Sequence, residues 1–179
     1  MVLDSKHNLR FQVRQLVHTS HAESSVEKNI IDWTQYKSAR KIAFYFAMKG
    51  ELNLDFLFES GKELFLPRYN KVAKAYEMCF VQCEEELQSG EYGIKEPGMQ
   101  CRTALKNEIE LWFIPGMAFS RSGHRLGRGA GFYDRLLEDE NGLKTGVCTA
   151  QRILEYIPLE NHDIKMDFVL TDKEIITIN

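Results

Sequence analysis

Residues 114–137 read IPGMAFSRSGHRLGRGAGFYDRLL, with glycines alternating at Gly127, Gly129 and Gly131 and another at Gly123. Arg121, Arg125, Arg128 and Arg135 share this stretch with a single acid, Asp134. Glycine lacks a Cβ and tolerates positive φ, so successive backbone N–H groups can turn into one concavity. The residues after Gly131, FYDRLLED, carry a helical pattern, and a helix N-terminus favours anions. The run before the loop, IELWFIPG, reads as a strand. Strand, glycine-rich loop and helix in that order predict an α/β fold whose loop holds phosphate. A mobile surface loop carrying solvated arginines is the plainer alternative. A Rossmann fingerprint needs its glycines directly after the strand, and a P-loop needs Gly-Lys-Ser/Thr, so neither motif fits.

Outward from this centre, ELFLPRYN, YEMCFVQ and the apolar run Ile42 to Met48, which ends in Gly50, read as strands on the N-terminal side. TGVCTA, KMDFVLTD and EIITIN read as strands on the C-terminal side. Two helices precede them all. Asp4 and Ser5 are candidate caps for the first, which aligns Leu9, Val13, Leu16 and Val17 on one face. The second runs from about Ala22 to Ser38 and buries Val26, Ile30, Ile31 and Trp33. Short apolar strands separated by helical patterns predict a largely parallel sheet covered on both faces. From Cys83 to Lys106 the chain is acidic and then rich in Gly and Pro, an irregular connection rather than a domain boundary.

At 179 residues one domain with a substantial core is expected. A net charge of −3 argues against a general nucleic-acid binder, and no apolar run approaches membrane-spanning length. The first residues, MVLDSKHNLRFQVRQ, are charged throughout without an apolar signal core, so a cytoplasmic location is expected. Cys79, Cys83, Cys101 and Cys148 lack zinc-ligand spacing, and free thiols are the expected state.

Several side chains have both an ordinary and a functional reading. Lys6, Arg10 and Arg14 form a basic stripe that reads first as a solvated helix face. Arg68, at a strand end, suits either an anionic ligand or a surface ion pair. Glu51, just past a strand end, reads as a turn carboxylate, although ligands gather at such ends. Asp134 and Asp163 read as helix caps or ion-pair partners. His124 and Tyr92 read as exposed loop residues.

The central string resembles the signature of the 5-formyltetrahydrofolate cyclo-ligases, also called methenyltetrahydrofolate synthetases. The positions that carry the resemblance are Pro115, Gly116, Phe119, Gly123, Arg125, Leu126, Gly127, Gly129, Gly131, Phe132, Tyr133, Asp134 and Arg135. Ser120 departs from the pattern, which has Asp after the Phe, and takes no role from it. The resemblance implies one cyclo-ligase-like domain over residues 1–179. Its expected fold is an α/β three-layer sandwich, ribose-phosphate-isomerase-like, with a mostly parallel or mixed central sheet covered by helices. It implies conversion of 5-formyltetrahydrofolate and ATP to 5,10-methenyltetrahydrofolate, ADP and phosphate, with Mg²⁺. Lys6 and Arg10 match a Lys…Leu-Arg helix that contributes to the ATP site. With them, Arg125, Leu126, Gly127, Arg128, Gly129, Ala130, Gly131, Phe132 and Tyr133 would hold the nucleotide. Glu51 would contact the folate together with Arg128, Gly129, Ala130, Gly131 and Phe132. Asp134 and Asp163 would hold Mg²⁺, and Arg125, Arg128 and Asp134 would be the catalytic groups. Between Glu51 and Gly61-Lys62 the chain is shorter than the family pattern by about a helical turn. The expected partners are the two small molecules, with no nucleic acid, no membrane and a monomeric state.

Two alternatives stay open at this level. A phosphorylated-sugar isomerase or effector domain of similar fold would hold its ligand without ATP turnover. A cyclo-ligase-like protein that binds without turnover would accord with the serine at position 120.

Overall fold

The computed structural model describes residues 5–16, 19–90 and 93–179; Asp4, Val17 and Tyr92 lie outside the described residues. Helix α1 (Lys6–Val13) starts at Ser5, whose hydroxyl accepts from the Asn8 N–H at 3.4 Å, and it buries Leu9 and Val13. The second predicted helix is broken in two, α2 (Ser20–Asp32) and α3 (Thr34–Ser38). Trp33 takes extended backbone, with ψ 132, which lays its ring edge-on against Phe168 at 4.9 Å. Ile31 therefore stays exposed rather than buried, while Trp33 joins the core.

The main sheet combines β1 (Lys41–Ala43), β2 (Glu63–Asn70), β3 (Ala75–Val81), β6 (Leu111–Pro115), β9 (Leu143–Val147), β11 (Phe168–Leu170) and β12 (Ile175–Thr177). Their order is β12-β11-β9-β6-β1-β2-β3. The five inner strands are parallel, and both edges are closed by antiparallel partners, β12 on β11 and β3 on β2. The sheet is thus mixed. Side chains alternate between two buried faces. Ile42, Leu64, Leu66, Leu111 and Phe113 pack with Val26 and Ile30 of α2, Trp33 between the helices and Tyr36 of α3. Ala43, Phe65, Trp112, Ile114 and Val169 pack on the opposite face with Leu137 and Met166.

The remaining strands are short. The predicted irregular connection contains a hairpin, β4 (Leu87–Ser89) with β5 (Lys95–Pro97), because Leu87 opposite Pro97 gives it an apolar anchor. β7 (Ala118–Ser120), β8 (Arg125–Leu126) and β10 (Ile153–Leu154) form a small separate sheet. Its core of Met117, Ala118, Leu126 and Ile157 receives Leu9 and Val13 from α1. Helix α4 (Phe132–Leu136) follows the glycine-rich loop and is shorter than FYDRLLED implies.

Strand β1 is also shorter than the apolar run that encodes it. After Ala43 only the Phe44 N–H reaches β2, at the Phe65 carbonyl. The chain then leaves the sheet, with Phe44 and Tyr45 still buried and the Tyr45 hydroxyl donating to the Leu52 carbonyl at 3.1 Å. Among the described residues no helix is long and apolar enough to cross a membrane.

Candidate active site

Where β1 and β6 end at their carboxyl ends, the chain opens into a cleft of about 1150 Å³, its open mouth included. Such crevices are where open α/β sheets gather ligands. Lys6 and Arg10 of α1, Glu51, Arg125, Gly127 to Asp134, and Asp163 all line it. Of the predicted site residues only Leu126 faces away: β8 alternates, so Arg125 turns to the cleft while Leu126 is fully buried beside Leu9 and Val13.

The glycine loop keeps its shape through backbone conformation and space. Gly129 and Gly131 have φ of 106° and 64°, conformations that side chains rarely adopt. Gly127 is different: its φ is not positive, but a Cβ there would lie 3.0 Å from the Arg125 guanidinium. Arg10 anchors the loop from outside, its Nε donating to the Gly127 carbonyl at 2.8 Å. The other predicted arginines are divided. Arg121 pairs with Glu174, and Arg135 donates to the Ala130 carbonyl at 3.0 Å from an exposed position. Neither lines the cleft, so the anion-facing guanidiniums are Arg125, Arg128 and Arg10.

Every cation so placed has a hydrogen-bonding acceptor. Arg125 Nη2 donates to Asp134 Oδ2 at 2.7 Å, with both side chains largely buried, while Arg125 Nε is buried without a hydrogen-bond partner among the described residues. Arg128 Nε donates to Glu51 Oε1 at 3.0 Å; the arginine is 42% exposed and the glutamate 7%. Lys6 donates to both Asp163 oxygens, at 2.9 and 2.6 Å, and to Glu160 at 2.8 Å. Burial alone would lower the Lys6 pKa, but hydrogen bonds and charge from Asp163 and Glu160 hold it above the usual lysine value. Burial would likewise raise Asp163, and the bond from Lys6 brings it below the usual aspartate value. Glu160, His162 and Asp163 have ligand atoms within 4.8 Å of one another, but the Lys6 ammonium bonds both carboxylates there.

This is a donor set that fits a phosphate with its magnesium. Mg²⁺ binds through one or two carboxylates plus phosphate oxygens. Asp134 and Asp163 could supply the carboxylates, and the unpaired Nε of Arg125 could donate to a phosphate oxygen.

Aromatic surface completes the cleft. Phe132 meets Tyr76 edge-on at 4.9 Å, and both line it with Tyr45, Phe46 and Met48. Tyr133 also lines it, and burial raises its phenol pKa. Sequence reasoning missed Tyr45, Phe46 and Met48 because the run Ile42–Met48 reads as continuous strand. Tyr76, Glu96 and Glu160 also line the cleft and were missed because nothing local marks them. Arg68 resolves as structural: it is buried, donates to Glu77 at 3.0 and 2.7 Å, and reaches the Gly98 and Cys101 carbonyls. Ser120 is buried away from the cleft, where its hydroxyl accepts from the His124 N–H at 3.1 Å and meets Ser122 at 2.8 Å. His124 is half-buried rather than exposed, and that burial lowers its pKa.

The chain has clear relatives. The family model described as the 5-formyltetrahydrofolate cyclo-ligase family matches residues 5–172. The mouse 5-formyltetrahydrofolate cyclo-ligase is 27% identical over 191 residues, covering 94% of each chain. That of Haemophilus influenzae is 27% identical over 186 residues, covering 95% of this chain and 99% of the relative. The solution structure of Aquifex aeolicus 5,10-methenyltetrahydrofolate synthetase superposes with a TM-score of 0.86 at 31% identity, covering 97% of this chain and 93% of that one. The signature string, the mixed α/β sheet and these matches agree: this chain is a ligase-class enzyme that belongs to the 5-formyltetrahydrofolate cyclo-ligase family.

Proposed function

We propose that the protein, acting as a single domain over residues 1–179, joins 5-formyltetrahydrofolate and ATP in this cleft to give 5,10-methenyltetrahydrofolate, ADP and phosphate. The observation that carries this reading is the convergence of Lys6, Arg10, Arg125 and Arg128 with Asp134 and Asp163 in one cleft that also has an aromatic wall. A formyl group on nitrogen is an amide, so its carbon is a poor electrophile and its oxygen a poor leaving group. Transfer of the γ-phosphoryl group to that oxygen turns it into a leaving group. N10 of the same folate then attacks the formyl carbon and gives up its proton to solvent, and the C–O bond breaks with release of phosphate. The chain needs no nucleophile of its own; its task is positioning and charge stabilisation.

Arg125, Arg128 and the N–H groups of Gly127 to Gly131 hold the triphosphate, with Lys6 and Arg10 closing that side. Asp134 and Asp163 would hold Mg²⁺, which neutralises phosphate charge as it builds. The present pairings set up an exchange: phosphate takes over the cations, and the carboxylates they leave become available to metal and folate. Glu51, released by Arg128, then faces the folate, and Phe132 with Tyr76 stacks against its rings. A monomer in the cytoplasm, where ATP is abundant, suits this chemistry. The test is turnover of 5-formyltetrahydrofolate with both ATP and Mg²⁺ required, together with the fate of the formyl oxygen.

A further inference from the structure

Arg152 has no part in the roles assigned above, and it is only 5% exposed. It ends the turn Ala150–Arg152 that follows β9. Its Nη1 donates to the Met117 carbonyl at 2.8 Å and its Nη2 to the Leu16 carbonyl at 2.5 Å. Among the described residues its Nε has no hydrogen-bond partner, and no carboxylate accepts a hydrogen bond from it. Burying a guanidinium in this way is costly, so an apolar residue would serve better if only packing were at stake.

Three segments that build the cleft meet at this fork. Leu16 lies three residues past the end of α1, the helix that brings Lys6 and Arg10 to the cleft. Met117 opens the β7–β8 hairpin, and its N–H donates to the Leu126 carbonyl at 2.8 Å, one residue before the glycine loop. The Gly50 backbone lies alongside, close enough that a Cβ there would be 3.2 Å from Nη2, and Glu51 comes next. Apart from Arg152, α1 is held against the small sheet by Leu9 and Val13, against the loop by Arg10, and at its start by the Lys6 bonds to Asp163 and Glu160.

We propose that Arg152 is a positioning residue for the nucleotide: it clamps the carboxyl-side end of α1 to β7 and so sets Lys6 and Arg10 against Gly127–Gly131. The inference rests on the assignment of Lys6 and Arg10 to ATP made above. It is tested by measuring MgATP affinity and 5-formyltetrahydrofolate affinity separately, by calorimetric titration, on wild type, R152M and R152K. Losing charged hydrogen bonds that preorganise the site should weaken MgATP binding about tenfold in R152M, while folate binding stays within about twofold. R152K keeps the charge without the fork and should lose about threefold. An arginine that merely stabilises the fold would move both affinities together or neither, and either result overturns the proposal.

A second arm asks whether the effect runs through α1. In a Lys6→Ala/Arg10→Ala background, R152M should leave MgATP affinity nearly unchanged, because the groups it positions are gone. An undiminished loss in that background overturns the clamp. If R152M does not fold, as judged by circular dichroism, R152K carries both arms. Failure of the parent reading looks different: wild type itself would bind no MgATP, whereas tight and equal binding by wild type and R152M removes the clamp alone.

Discussion

Asp134 is held from two sides where it lines the cleft. Its Oδ2 accepts from Arg125 at 2.7 Å and its Oδ1 from the Ile164 N–H at 3.4 Å, so both oxygens are aimed by the protein. Asp134→Asn keeps the shape and removes the charge. The magnesium concentration for half-maximal turnover should then rise about 10–100-fold, the usual scale for a disturbed metal ligand set. An unchanged magnesium dependence would make Asp134 a purely structural partner of Arg125. At this scale much was legible, because the signature string is contiguous and ties its own residues to one another. What was not legible depended on register. Arg68 reads equally as an anion-binding or an ion-paired arginine until β2 and β3 pair and set Glu77 directly opposite it. Leu126 reads as part of a binding string until the alternation of β8 turns it inward beside α1. Arg121 finds Glu174, far along the chain, which no spacing rule could anticipate.

The glycine loop and the first strand show what was legible of whole elements. The loop, its preceding strand and the helix after it all form in the predicted order. Gly129 tests whether the loop is truly held. The nearest atoms to a Cβ there are those of the Arg10 guanidinium, from 3.5 Å, an ordinary contact, so the penalty for Gly129→Ala lies in the backbone at φ 106°. The variant should lose about 1–3 kcal/mol of stability, the scale of one strained backbone position, read from urea unfolding. Wild-type stability would mean that the loop relaxes freely and is not preorganised. Element ends were harder to read than element types. Apolar periodicity continues through Trp33 and through Met48, yet the helix breaks at the first to pack Trp33 on Phe168. The strand ends at Ala43, and the residues beyond it line the cleft. In both places tertiary packing overrides local pattern, which periodicity alone cannot reveal.

Across the whole molecule, the mixed sheet is locked at the end opposite the cleft by Glu108. Its carboxylate accepts from Arg102 at 2.7 and 2.8 Å, from Lys41 of β1 at 3.1 Å and from the Leu105 N–H at 2.9 Å. The Arg102 hydrogen bonds, acting against burial, bring its pKa from 4.5 to about 2. A carboxyl depressed in the folded state stabilises fully above its unfolded pKa and loses that contribution as pH falls through its folded one. Wild type should therefore lose stability progressively between about pH 4.5 and 2, and Glu108→Gln should lose less over that window. Parallel losses in urea midpoint would show that Glu108 does not carry the acid sensitivity. Such long-range ties, like the antiparallel edges on both sides of the parallel strands, lie between segments distant in the chain. The layered α/β class was legible from alternation of elements, and the strand order was not.

In the proposed reaction the cleft transfers the γ-phosphoryl group of ATP to the formyl oxygen. The most direct measurement supplies 5-formyltetrahydrofolate labelled with ¹⁸O in its formyl group, with ATP and Mg²⁺, and analyses the products by mass spectrometry. The prediction is methenyl product formed only when ATP is present, with the label recovered in inorganic phosphate. Methenyl product without ATP, or label released into water with phosphate unlabelled, would contradict it.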